Sequence, residues 1–309
     1  MDHKILSICI PTYNRAVFLA ASLQRIFDEY ACLGTKEEVE ILISDNLSND
    51  HTQDVVRKFI ESGLPINYIR NQRNIGMDGN FVQCFKKASS RYILVLGDDD
   101  YLIKGGLQRI LDAVRGRDFG LIHLCLNGKA KKPVVCYNDA EVFLKDISHV
   151  ITYISSNIVA KKFVEDVDFE KYMGTFLPQV PLYITAALKS PQNLMINERI
   201  FEEGADIKNS GGYNFLQVFV TNYLWIRNHF LKRNSYRSIL YYEIEKYNLF
   251  HLLLPFIYNL LLRKNDGRFE TRNAWKILFR HYGLRLYSYP LLFRHVILQK
   301  YRRSKNRVK

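Results

Sequence analysis

Three consecutive carboxylates, Asp98, Asp99 and Asp100, follow Gly97 at the end of the apolar run Tyr92–Leu96, YILVL. Adjacent acids repel one another. A hard divalent cation relieves that repulsion, because Mg²⁺ or Mn²⁺ takes oxygen ligands and shares them with substrate phosphates. A short apolar run bounded by glycine predicts a buried strand. Groups just past the C-terminal end of such a strand lie where open α/β sheets bind ligands. The same three acids also read as a solvated turn.

Two further groupings stand at strand ends. Pro11-Thr12-Tyr13-Asn14-Arg15 follows the run Lys4–Ile10. Its aromatic Tyr13 and cationic Arg15 can hold a base and a phosphate; alternatively this is a β–α loop in which Asn14 caps the next helix. Asp45 closes the run Glu38–Ser44 and can accept from a base N–H or a ribose hydroxyl. Followed by Ser48 and Asp50, it equally fits turn and cap chemistry. Neither GxGxxG nor GxxxxGK[ST] occurs, which excludes a dinucleotide fingerprint and a P-loop. His123 lies in an apolar run and reads as a core histidine. The cysteines, at 9, 32, 84, 125 and 136, have no paired spacing and suit a reducing compartment.

The elements that position these groups follow from periodicity. Strands are expected at Lys4–Ile10, Glu38–Ser44, Pro65–Arg70 and Tyr92–Leu96, with helices at Ala16–Tyr30, Thr52–Glu61 and Asn80–Ala88 between them. Asn71–Gly79 is read as a polar loop. This βαβαβαβ order predicts a parallel sheet with helices on both faces. Right-handed crossovers then bring Thr12–Arg15, Asp45-Asn46 and Asp98–Asp100 to one edge. Beyond lie a helix at Leu107–Val114, a strand at Gly120–Leu126 and a basic hairpin-like segment at Gly128–Tyr137. A helix at Ala140–Ile147, a strand at Val150–Val159, a helix at Leu177–Leu188 and a strand at Met195–Phe201 follow. Glu202–Tyr213 is a polar, Gly-containing loop. From Asn214 onward the pattern is helical, with breaks near Asn265-Asp266-Gly267 and at Pro290.

Of 309 residues, 48% are hydrophobic and 24% charged, as in an ordinary globular protein. The net charge of +13 is concentrated: residues 263–309 contain 14 Lys plus Arg and only two acids. There the cations interleave with Leu, Phe, Tyr and Trp, a pattern that suits an anionic membrane surface. Nucleic acid is the competing reading of that charge, but no nucleic-acid motif accompanies it. Residues 1–10 reach a strand at once, without the pattern of a signal peptide. Leu249–Leu262 is interrupted by His251, Pro255 and Asn259 and is too short and polar to span a bilayer.

The stretches LSICIPTYNRAVFLAASLQRI, EILISDNLSNDHT and NQRNIGMDGNFVQCFKKASSRYILVLGDDDYL resemble the nucleotide-sugar half of family 2 glycosyltransferases, of the GT-A fold. The GDDDYL form is similar to the abequosyltransferase-like subgroup that builds bacterial surface polysaccharide. The likeness is close over about residues 4–126 and loose to about 215. It implies an α/β GT-A catalytic domain over 1–213 and ends there; the helical, basic pattern over 214–309 is what marks that region as membrane-associating. It implies nucleotide contacts from Pro11, Thr12, Tyr13, Arg15, Asp45, Asn74, Gly76, Asn80 and Asp98. It also implies a Mn²⁺ or Mg²⁺ site formed by Asp98, Asp99 and Asp100. In register, the family's DxD falls on Gly97-Asp98-Asp99, whose first acid is missing; Asp98-x-Asp100 is intact.

The implied chemistry is inverting displacement at a sugar anomeric carbon, from a nucleotide-diphosphate donor to a glycan or lipid-linked acceptor in O-antigen or capsule assembly. The implied location is the inner face of the cytoplasmic membrane. The family's general base stands in a Glu-Asp pair at a helix start, but here that helix begins Leu177-Pro178-Gln179. Glu203 and Asp206 are therefore the base candidates, ahead of Asp166, Asp168 and Glu202. The loop bearing them could close over the donor. A sugar-phosphate nucleotidyltransferase and a non-catalytic nucleic-acid-binding protein are the other readings.

Overall fold

The computed structural model describes residues 4–125, 132–204, 212–262 and 269–306, apart from the side chains of Glu203 and 302–306. The chain divides into two compact units, residues 1–206 and 207–309.

In the first unit, β1 (Leu6–Thr12) and β2 (Val39–Asp45) are buried at every position. Strands covered on both faces read as continuous apolar runs, the mark of a parallel sheet under helices. With β3 (Ile66–Arg70) and β4 (Tyr92–Val95) they form a parallel group in the order β3-β2-β1-β4. The connections are α1 (Ala16–Ala31), α2 (Thr52–Glu61) and α3 (Gly76–Lys87). Register sets Thr12 beside Asp45 and Cys9 beside Val95, so these strands end on a common edge. The buried Glu40 carboxylate accepts from Ser7 Oγ and from the Ser89 N–H and hydroxyl, tying the turn before β4 to the starts of β1 and β2.

After β4 come β5 (Asp100–Leu102), α4 (Gly106–Val114), β6 (Leu121–Leu124), β7 (Val134–Tyr137), α5 (Ala140–Ile147) and β8 (Asn157–Ala160). Then follow α6 (Gln179–Lys189), β9 (Asn193–Ile196) and β10 (Phe201–Glu203). The sheet extends as β4-β8-β6-β9-β7, with β8 antiparallel to β4 and β6, and β7 antiparallel to β9. Part of the basic segment Gly128–Tyr137 lies outside the described residues.

Several boundaries differ from the periodicity. Val150–Val159 is not one strand: 148–152 and 154–156 are 3₁₀ turns, and only β8 is extended. Its polar side chains bond locally instead, Ser156 Oγ and Asn157 Nδ2 both donating to the Tyr153 carbonyl at 2.8 Å. Met195–Phe201 divides between β9 and β10. α3 begins at Gly76 rather than Asn80, with Gly76 in the left-handed region at φ 76.

The second unit contains α7 (Tyr223–His229), α8 (Tyr236–Leu261), α9 (Ala274–Tyr282) and α10 (Ser288–Asn306), after a π-helical turn at Gln217–Asn222. α8 continues through Pro255, because its buried face of Leu249, Leu253 and Ile257 offsets the lost hydrogen bond. Pro290 starts α10 rather than breaking a helix. It lies in the first turn, where its missing N–H has no intrahelical partner in any case. Asn265-Asp266-Gly267 lies outside the described residues. No helix among the described residues is long and apolar enough to cross a membrane.

Candidate active site

The common edge of β1, β2 and β4 assembles the site. Thr12, the last residue of β1, donates from Oγ1 to Asp98 Oδ2 at 2.8 Å. Arg15, three residues later, donates from Nε to Asp98 Oδ1 at 2.7 Å and from Nη2 to Asp99 Oδ2 at 2.6 Å. Its guanidinium also lies 4.5 Å from the centre of the Phe18 ring. One cation thus bridges two of the three acids. Burial pushes the Asp98 carboxyl up to about 6, against the opposing pull of Arg15 and Thr12 and with Asp99 adding to the rise.

The three acids do not act as one set. Asp100 opens β5 and turns away: its carboxylate accepts from Tyr153 Oη at 2.7 Å and from Ser155 Oγ. The Ser155 hydroxyl also accepts the Gly97 N–H at 2.9 Å, so one side chain closes the turn before β5. Asp98, Asp99 and Asp100, expected to form one ligand set, therefore do not converge, because Tyr153 and Ser155 hold the Asp100 carboxylate away from the other two. Among the described residues no group of three His, Cys, Asp or Glu is placed to share an ion. Asp98 is buried with both oxygens bonded, whereas the Asp99 side chain is 32% exposed. A nucleotide-bound Mg²⁺ or Mn²⁺ needs only one or two protein carboxylates beside the phosphates. Asp99, the more exposed of the two carboxylates that Arg15 bridges, fits that smaller requirement.

Asp45 is fully buried. It accepts Tyr68 Oη at 2.6 Å and the Ser48 N–H at 2.8 Å, with Arg70 Nε at 3.7 Å. Burial first, and then Asp45, push the Tyr68 hydroxyl well above its ordinary range, so it stays a donor. Tyr13, by contrast, stands 45% exposed beside Arg15, while Pro11 is buried within β1. Asn14 does not cap α1. It adopts φ 55 and accepts the Asn49 N–H, and Asp50 takes the Ala16 N–H instead.

Around the loop before α3, Asn46 Nδ2 donates to Asn74 Oδ1 at 2.8 Å and to the Gly76 carbonyl at 3.2 Å. Gly76 itself is exposed. Asn80, expected beside the nucleotide, is buried. Its Nδ2 donates to the Ser44 carbonyl and its Oδ1 accepts from Ser44 Oγ, so it fixes α3 to β2 instead. Tyr68, Tyr153 and Ser155 join the site without any motif or spacing in the sequence to mark them.

Of the base candidates, Asp206 lies outside the described residues. Glu203 is placed by its backbone: β10 pairs antiparallel with β5 and sets Glu203 opposite Asp100. Gly204 follows, and a Cβ there would lie 2.1 Å from the Asp99 carbonyl oxygen. Gly204 thus sits directly against the acidic turn. The other acids are engaged at the surface: Asp166 pairs with Lys189, Asp168 accepts the Glu170 N–H, and Glu202 lies near Arg25 and Arg199. His123 is a core residue bonded to Asn157, and burial drives it down to about 4.

Residues 7–157 match the family model for glycosyl transferase family 2. The chain is 31% identical over 204 residues to an abequosyltransferase of Salmonella typhimurium, a match covering 57% of this chain and 59% of that protein. It is 32% identical over 107 residues to a Campylobacter jejuni GalNAc(5)-diNAcBac-PP-undecaprenol beta-1,3-glucosyltransferase, covering 34% of this chain and 33% of that one. The matched stretches thus span about a third to three fifths of those relatives. Among solved structures, Staphylococcus aureus TarS 1–349 in complex with UDP aligns over 97% of this chain and 92% of its own, with TM-score 0.60 and 14% identity. A Pyrobaculum calidifontis mannosyltransferase in complex with GDP-Man and Mn²⁺ aligns over 94% and 84%, with TM-score 0.58 and 12% identity. At such identities the likeness is one of fold, and the fold is GT-A.

Proposed function

We propose, from the match of residues 7–157 to the glycosyl transferase family 2 model, that the chain is a metal-dependent, inverting glycosyltransferase of bacterial surface-polysaccharide assembly. The observation that carries this reading is the meeting of Tyr13, Arg15, Asp45, Asp98 and Asp99 at the ends of β1, β2 and β4. Exposed Tyr13 offers a face for the base, and the buried Asp45, fixed by Tyr68, anchors the neighbouring strand end. Asp98, the buried partner of Thr12 and Arg15, stands nearer the ribose.

Displacement at the anomeric carbon develops negative charge on the departing nucleoside diphosphate, which preorganised cations stabilise. Arg15 supplies one such charge from the chain itself. A divalent cation held through Asp99 and the diphosphate would supply the other. The acceptor hydroxyl needs a base, and Glu203, set against the acidic turn by the β5–β10 pair, is the first candidate; Asp206 in the same loop is the second. The basic helices of the second unit would hold the enzyme on the anionic inner face of the cytoplasmic membrane, where a lipid-linked acceptor resides.

Calorimetric titration of UDP, CDP, GDP and dTDP, with and without Mn²⁺, tests the donor side. The expected result is Mn²⁺-dependent binding of one nucleotide, lost in Asp99→Asn. Absence of binding by all four would overturn it. Release of pyrophosphate from a nucleoside triphosphate would identify a nucleotidyltransferase instead.

A further inference from the structure

We propose that the apolar slot between α8, α9 and α10 takes one hydrocarbon chain of an anionic membrane lipid, with its phosphate held by the cations beside it. The proposal rests on the membrane reading above and gives it a site.

The slot encloses about 330 Å³, at the lower end of the range of ligand pockets. Phe250 and Ile257 of α8 form its floor; Trp275 and Phe279 of α9 and Tyr289 and Leu292 of α10 form its walls. Ser288 also lines it, but its hydroxyl already donates to the Tyr282 carbonyl. The lining therefore asks for an apolar occupant.

Charge complementarity says which one. Residues 271–301 contain six Lys plus Arg and no acid. Trp275 and Phe279 are one turn apart on α9, and so are Lys276 and Arg280 beside them. All four are exposed, as is Arg294, next to Phe293 on α10. Arg285 differs, being paired with Glu243 at 2.8 Å. Phe279, which lines the slot, is 71% exposed, and Leu284 and Leu286, in the connection between α9 and α10, are 92% and 87% exposed. An apolar slot with exposed aromatic rings in its lining, and with exposed cations on the same helices that no acid pairs among the described residues, matches a lipid with an apolar chain and a negative headgroup.

The chain has two tryptophans. Trp225→Phe in the 309-residue chain leaves Trp275 as its only tryptophan, inside the proposed site, and excitation at the red edge of the indole band avoids the tyrosines. Co-sedimentation with phosphatidylglycerol vesicles measures attachment; quenching by brominated acyl chains in those vesicles measures chain contact with Trp275. We expect both, with loss of most Trp275 emission, and neither with phosphatidylcholine. Phe279→Ser, at an exposed position, should abolish the quenching, and Lys276→Glu or Arg280→Glu should each weaken attachment on the order of fivefold or more. Attachment without quenching would mean adsorption by charge alone and would overturn the slot while leaving the membrane reading intact. No attachment would overturn both, with nucleotide binding unaffected. Equal quenching by phosphatidylcholine would overturn the anionic headgroup. An emission shift that follows protein concentration without vesicles would assign the slot to a second copy and overturn the proposal.

Discussion

Arg15 and Asp98, 83 residues apart in sequence, meet at 2.7 Å across the ends of β1 and β4. The pair unites the first β–α loop with the acidic turn in one charge system. Asp98 is buried by the fold and Arg15 only partly compensates it, while Asp99 adds a like charge at its side. The edge is thus built with an excess of negative charge that a cationic ligand relieves.

The burial of Asp98, with Asp99 beside it, predicts a pH signature. The folded Asp98 carboxyl titrates at about 6, above the ordinary aspartate range near 4. A raised carboxyl favours the fold while protonated, so its contribution is full below about pH 4 and is lost as pH rises through about 6. The loss is on the order of 3 kcal/mol. Thermal melts of the ligand-free protein from pH 4 to 7 should show this step in the wild type relative to Asp98→Asn, which lacks it. Parallel profiles for the two proteins would refute it. Mn²⁺ affinity should move oppositely, falling as the pH drops below about 6.

Asp99 and Asp100 should separate by readout. Asp99 is partly exposed and bonded to Arg15, so Asp99→Asn should shift the melting temperature by no more than about 1–2 °C while removing the Mn²⁺ enhancement of nucleotide binding. Asp100 is buried between Tyr153 and Ser155. Asp100→Asn should therefore lower the melting temperature by several degrees and keep the Mn²⁺ response. Loss of the metal response in Asp100→Asn with no change in melting would reverse the two assignments.

The parallel half of the sheet was readable because β1, β2 and β4 are continuous apolar runs with a glycine or polar stop, and the helix Thr52–Glu61 appears with the same ends in sequence and structure. The meeting of Thr12, Arg15, Asp45 and Asp98 followed from that order alone. What periodicity did not carry was direction of side chains after a turn. Three adjacent acids look equivalent in sequence, but the one beginning β5 must face inward, toward Ser155 and Tyr153. The 150–159 stretch misled for a related reason: its β-branched residues favour a strand, and the local hydrogen bonds of Ser156 and Asn157 overrule them. Tyr68 gave no signal, because its partner Asp45 lies 23 residues away across a register set by the whole sheet.

Tyr68→Phe removes the 2.6 Å hydrogen bond to a fully buried carboxylate. The Ser48 N–H remains, and Arg70 is 3.7 Å away. Leaving one oxygen of a buried charge without its donor costs about 1–3 kcal/mol. We expect a lower urea midpoint with unchanged slope, and weaker nucleotide binding because Asp45 is no longer held. Since the Tyr68 hydroxyl stays protonated well beyond neutral pH, the difference from wild type should not vary between about pH 6 and 9. A variant with wild-type stability and wild-type nucleotide affinity would show that Tyr68 does not position Asp45.

Gly204 supplies a prediction that separates backbone placement from side-chain chemistry. A Cβ there would lie 2.1 Å from the Asp99 carbonyl oxygen and 3.2 Å from Asp99 Cβ. Neither atom is the end of a flexible side chain, so Gly204→Ala must push β10 away from β5 or move the backbone that carries Asp99. Overpacking of this kind costs about 1–3 kcal/mol, or several degrees in melting temperature for a unit of this size. Because the displaced backbone bears the Asp99 carboxylate and the Glu203 position opposite Asp100, Mn²⁺-dependent nucleotide binding and turnover should both fall. Gly34→Ala is the control, since nothing lies within 4 Å of a Cβ at that position and it should leave both unchanged. Normal nucleotide binding in Gly204→Ala, with only turnover reduced, would place the effect on the acceptor side of the loop. Wild-type behaviour in every assay would mean that the close approach of Gly204 to Asp99 does not organise the site.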